Sequence, residues 1–182
     1  MHGAREIAIQ YFKNHEDEYL EDLVSLLNIP SISTDTNMRE MMMKAAKWLE
    51  NKLHKIGFQD VSIYPTKGAP VVIGEYRAPS HQATTLLIYG HYDVQPVDPI
   101  ELWKSDPFDA KREGELLIAR GASDMKGQLL AVLAALDSIL SNGPLDINVK
   151  VIFEGEEESG SPNLEAFIQE NRELLACDII LN

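Results

Sequence analysis

Two short apolar runs constrain this chain more than any other feature: Leu86-Leu87-Ile88-Tyr89 and Val149-Lys150-Val151-Ile152-Phe153. Neither alternates as a half-exposed strand does, so both read as central strands covered on two faces. Between them lies the strongest helical stretch, residues 124–140, stopped by Ser141-Asn142-Gly143-Pro144. A second helical segment follows at 164–175, then the start of another apolar strand at 178–181. A strand–helix–strand–helix–strand order predicts an α/β sandwich with part of its sheet parallel. Upstream, apolar residues from Ile7 to Leu27 recur at helical spacing up to Pro30. A further helix is expected over about 38–54, with Met42, Ala45, Ala46, Leu49 and Leu53 on one face. The middle reads as strands at 61–64, 71–76 and 85–89, and a short pair at 110–112 and 116–119.

The charge balance narrows the function. With 16 Lys and Arg against 29 Asp and Glu, the formal net charge is −13. A polyanion repels phosphate backbones and anionic lipid, which argues against nucleic-acid and membrane-surface partners. The single cysteine, Cys177, cannot form an internal disulfide. The first residues are charged throughout and hold no apolar signal core, so a cytosolic protein is expected. The chain stops at Asn182 on an apolar strand, which reads as a fragment of a longer chain.

Three segments carry chemistry. In the first, Gly90-His91-Tyr92-Asp93 follows directly on a buried strand, placing His91 and Asp93 where open α/β sheets bind ligands. In extended chain, positions i and i+2 point the same way, so Asp93 can hold one ring nitrogen of His91 and leave the other for a metal. For this pair alone, a polar surface loop is the plainer reading. In the second, Ser123-Asp124 opens the strongest helix, where such residues usually cap. The functional alternative sets the Asp124 carboxylate between two cations. In the third, Glu154-Gly155-Glu156-Glu157-Glu158 follows the second buried strand. A run of Glu is usually a solvated face. Here it falls at the same sheet edge as His91, where crowded carboxylates call for a cation or a shared proton. Nitrogen and oxygen donors without thiolate suit a hydrolytic zinc or manganese pair.

Together, LLIYGHYDVQP, WKSDPF, ARGASDMKGQ and EGEEESGS resemble the co-catalytic zinc exopeptidases, closest to the cytosolic non-specific dipeptidase and carnosinase branch. The resemblance implies a three-layer α/β sandwich with a mixed sheet, of which residues 1–182 would be the N-terminal part. It implies two divalent ions, zinc with manganese or cobalt as alternatives. His91 would bind one ion, Asp124 would bridge both and Glu158 would bind the second. Asp93 would orient His91, and Glu157 would be the general base. It also implies a cis Asp124–Met125 peptide and one further ligand for each metal beyond residue 182. Asp178, at the start of its strand, would lie at the wrong end of the sheet to serve. The implied substrates are dipeptides or short peptides, with N-acyl amino acids as the alternative. The implied assembly is a homodimer through a domain outside this sequence. A non-catalytic domain with an incomplete metal site is the competing expectation.

Overall fold

The computed structural model describes residues 2–182. Three helices, α1 (His2–Asn14), α2 (Glu16–Leu27) and α3 (Arg39–Lys55), precede β1 (Asp60–Tyr64), β2 (Val71–Tyr76) and β3 (Thr85–His91). A small hairpin of β4 (Lys111–Glu113) and β5 (Leu116–Ile118) leads into α4 (Lys126–Leu140). The chain continues through β6 (Asn148–Glu154), α5 (Leu164–Glu170) and β7 (Ile179–Leu181). The main sheet runs in the order β1-β2-β6-β3-β7. It is antiparallel from β1 to β6 and parallel where β6 and β7 flank β3. Each parallel pairing is reached through a helix, as parallel strands require.

Strand alternation sorts the residues into two cores. Val72, Ile88, Val149, Val151 and Phe153 face α3 and α4, packing with Leu49, Leu53, Leu129 and Leu133. Val71, Ile73, Leu87 and Ile152 face the other way, onto Phe167 of α5 and Leu175. This is the expected three-layer sandwich with a mixed sheet. The α4 stripe is wholly enclosed, with Leu133 at 0% exposure, and each such leucine contributes about 1.5–3 kcal/mol relative to an exposed one. α2 covers α4 from outside through Tyr19, Leu130 and Ala134.

Several boundaries differ from the sequence expectation, each for a local reason. The first helical stretch breaks at His15, whose Nδ1 donates to the Tyr11 carbonyl at 2.8 Å and competes with the helical backbone. α4 starts at Lys126 and not 124, because Lys126 N–H donates to the Gly121 carbonyl at 3.0 Å and not into a helical turn begun at 124; the Asp124–Met125 peptide before it is cis, the isomer the resemblance implies. α5 ends at Glu170, where the Asn171 side chain donates to the Phe167 carbonyl at 2.8 Å and the chain turns. Lys150, inside a run that reads as apolar, faces α5 and donates to the carbonyls of Leu174 (2.7 Å) and Ala176 (2.9 Å). β3 and β6 both run further than their apolar cores, pairing His91 with Glu154.

Candidate metal centre

β3 ends in Gly90-His91 because α4 lies directly against it. A Cβ on Gly90 would meet Leu129 Cδ2 at 2.6 Å. That close approach leaves His91 4% exposed at the C-terminal end of the parallel strands. The next residues are tied to the segment after α2. Ser31 donates its hydroxyl to the Tyr92 carbonyl at 2.7 Å, and Val94 N–H donates to the Ser31 carbonyl at 2.9 Å.

Asp93 is fully enclosed and joins two of the three motifs. One carboxylate oxygen lies 3.3 Å from His91 Nδ1. The two oxygens also accept the backbone N–H groups of Glu157 (3.2 Å) and Glu158 (3.1 Å). The Asp93 backbone carbonyl stands 3.2 Å from the same Nδ1. Because both groups facing Nδ1 are acceptors, Nδ1 carries a proton and Nε2 presents its lone pair to the site.

Opposite Nε2 stands Asp124, with Oδ1 at 3.1 Å. Glu157 Oε2 is 3.8 Å from the same nitrogen. A ring lone pair and a carboxylate oxygen at this distance repel unless a cation lies between them, either a proton or a metal. Burial alone would lower the His91 pKa. The hydrogen bond and charge of Asp93, joined by Glu157 and Asp124, outweigh burial and push it up to about 9. A proton therefore stands between His91 Nε2 and the carboxylate of Asp124. The donor set of imidazole and carboxylate oxygens fits a divalent ion of the zinc or manganese kind.

The remaining carboxylate is turned aside. Glu158 Oε2 accepts from Gln95 Nε2 at 2.6 Å. Among the described residues, no three His, Cys, Asp or Glu side chains are arranged to hold an ion by themselves. Asp178 lies at the far end of β3, its carboxylate accepting from Thr85 N–H at 2.8 Å. Six steps along the strand from Thr85, about 20 Å, separate that end from His91.

Sequence reasoning missed the scaffold around these groups. Lys126 is fully buried and donates to the carbonyls of Leu26 (3.1 Å) and Ile29 (2.6 Å), tying the Asp124 turn to the end of α2. Burial lowers its pKa to about 7, against the opposing pull of Asp93. The signal for it was its place two residues after Asp124, at the start of an apolar helix. Gln95, which holds Glu158, was visible in HYDVQP but carries no pattern of its own.

An α/β sheet whose parallel strands deliver an imidazole and carboxylates to one edge has donors of the kind that hold divalent ions. Residues 87–181 match the model of peptidase family M20/M25/M40, and the chain belongs to that family. It is 36% identical over 163 residues to a cysteinylglycine-S-conjugate dipeptidase of Corynebacterium striatum, covering 88% of this chain and 35% of that protein. It is 30% identical over 181 residues to the human Beta-Ala-His dipeptidase, covering 92% of this chain and 36% of that one. Among solved structures, an M20 family metallo-carboxypeptidase from Sulfolobus solfataricus superposes with a TM-score of 0.83 at 44% identity, over 90% of this chain and 36% of the other. A di-peptidase from Saccharomyces cerevisiae superposes with a TM-score of 0.87 at 26% identity, over 96% and 40%. The chain thus spans about a third of the length of these curated relatives.

Proposed function

We propose that this chain is the N-terminal part of the catalytic domain of a cytosolic metallo-exopeptidase that hydrolyses dipeptides or short peptides. The observation that carries the reading is the His91–Asp124 pair at 3.1 Å, with the other ring nitrogen fixed by the buried Asp93. His91, Asp124 and Glu158 would hold two divalent ions, zinc or alternatively manganese or cobalt, with Asp124 between them. Bound there, such ions supply Lewis acidity toward a peptide carbonyl and lower the pKa of water. Asp93 orients the imidazole and keeps its proton on Nδ1. Glu157, 45% exposed at the rim, takes a proton from the attacking water at its carboxylate and returns it to the leaving amine. Glu158 reaches its role by leaving Gln95, a change of one side-chain hydrogen bond. The relatives' remaining two thirds support the proposal that further ligands, substrate contacts and a dimer interface come from chain outside this sequence.

The test has two parts. Zinc or manganese is titrated into the chelator-treated chain, with His91→Ala and Asp124→Asn beside it, and thermal unfolding is followed. Stabilisation of the wild type alone is expected, and equal stabilisation of all three would sink the assignment. The longer protein is then assayed on dipeptides and on N-acyl amino acids. Hydrolysis confined to the acyl substrates moves the reading to a deacylase of the same family.

A further inference from the structure

Two buried carboxylates flank the turn that bears Glu157 and Glu158, and only Asp93 has yet been given a role. The other is Glu154, last residue of β6 and 2% exposed. Its Oε1 accepts from the Tyr89 hydroxyl of β3 at 2.6 Å and from the Ser161 hydroxyl at 2.8 Å. Ser161 closes the turn, adopting a φ of 50° and donating its N–H to the Glu156 carbonyl at 2.8 Å. Gly155, between Glu154 and the turn, lies so close to Tyr92 that a Cβ would meet its ring at 2.5 Å. The start of the turn is therefore pressed against a fixed wall. Its near end is held by Asp93 through two N–H groups, and its far end by Glu154 through Ser161.

We propose that Glu154 is a positioning residue for the centre. Through Ser161 it sets the far end of the Glu157–Glu158 turn, and through Tyr89 it references that end to the strand delivering His91. Enclosing a carboxylate is costly, and an apolar side chain would fill the space with less penalty. What a hydrophobe cannot supply is direction, since hydroxyl-to-carboxylate bonds are short and oriented where packing is not. The consequence for metal rests on the reading of Glu157 and Glu158 above, whereas the first test does not.

Amide hydrogen exchange is measured on the metal-free chain for wild type, Glu154→Gln, Glu154→Leu and Ser161→Ala. Gln retains an Oε1 acceptor for both hydroxyls, while Leu retains only bulk. Exchange at Gly160 and Ser161 is expected to rise about tenfold or more in Glu154→Leu and Ser161→Ala, the loss of roughly one hydrogen bond. In Glu154→Gln it should stay near wild type, and Ile88 and Val151 inside the sheet should keep their protection throughout. Should Glu154→Leu not fold, Ser161→Ala and Tyr89→Phe carry the same comparison. Unchanged turn amides, or a Gln variant as damaged as the Leu variant, would overturn the proposal. A loss of protection spread equally through the sheet would overturn it too, since it would mark a merely structural role. Zinc titration then separates the two readings. A wild type that binds no zinc removes the metal assignment and leaves the exchange result standing. A wild type and a Ser161→Ala variant that bind zinc equally well remove the positioning role.

Discussion

Gly127 offers a test in which two ordinary effects predict opposite signs. It lies in the first turn of α4, where replacing glycine with alanine should stabilise the helix by up to about 1 kcal/mol. The turn bearing Asp124 folds back on this position, and a Cβ on Gly127 would stand 2.2 Å from the Ala122 carbonyl oxygen. Real Cβ contacts essentially never fall under 3.0 Å, so something must move by most of an ångström. The obstacle is backbone and cannot rotate away. Gly121, whose carbonyl receives Lys126 N–H at 3.0 Å, anchors the same loop. Overpacking of this kind costs about 1–3 kcal/mol, so Gly127→Ala should lose up to about 2 kcal/mol after the full propensity gain is subtracted. Urea unfolding of the chelator-treated chain, followed by far-UV circular dichroism, reads the change as a lower midpoint at constant slope. Gly3→Ala is the control, since its Cβ meets nothing within 4 Å and only the propensity term applies. A midpoint for Gly127→Ala at or above wild type would refute the reasoning. So would a shift matching the control in sign.

The remaining predictions concern the buried charges. For metal-free protein, the His91 contribution is whole below pH 6.5 and lost as the pH rises through about 9, because folding raises its pKa. Lys126 acts in the opposite sense, its penalty whole below about pH 7 and relieved as the pH rises toward 10.5. Stability measured in urea between pH 7 and 9 should therefore be nearly flat, falling with pH in Lys126→Met and rising in His91→Gln; parallel curves for all three would contradict the account. Asp93→Ala strands two N–H groups and a buried imidazolium, and should cost about 3–5 kcal/mol in urea unfolding; a loss below 1 kcal/mol would show that the carboxylate does not hold the turn. Tyr92→Phe removes the donor bonded to the Pro70 carbonyl at 2.5 Å. It should cost about 1–3 kcal/mol in the same measurement, and a neutral result would mean that water replaces the hydroxyl.

The sheet was legible in the sequence because central strands must be apolar on both faces, and LLIY and, Lys150 apart, VKVIF are. The ends of those strands were legible for the converse reason: His91, Asp93 and Glu154 to Glu158 are polar groups placed where an apolar run stops. The scaffold was not legible, because its partners are distant along the chain. Lys126 meets Ile29 across 97 positions, and Tyr89 meets Glu154 across 65. Local pattern read Glu154 as part of an acidic stretch, when burial makes it unlike its neighbours. Lys150 was hidden by the apolar residues around it, since only the fold shows carbonyls waiting on its side of the sheet. His15 and Asn171 broke helices through side-chain bonds to their own backbone, which apolar periodicity does not register.

β7 carries a consequence for handling residues 1–182 by themselves. Among the described residues it pairs only with β3, and Ile179, Ile180 and Leu181 are 54%, 66% and 50% exposed. None of the three is a charge or a proline of the sort that blunts a sheet border. The net charge of −13 opposes such pairing, and that repulsion reaches only about 8 Å at physiological salt. For this stretch on its own, added salt is therefore a hazard separate from unfolding. Residues 1–182 prepared alone are expected to scatter more light as salt is added, with an unchanged far-UV circular dichroism spectrum.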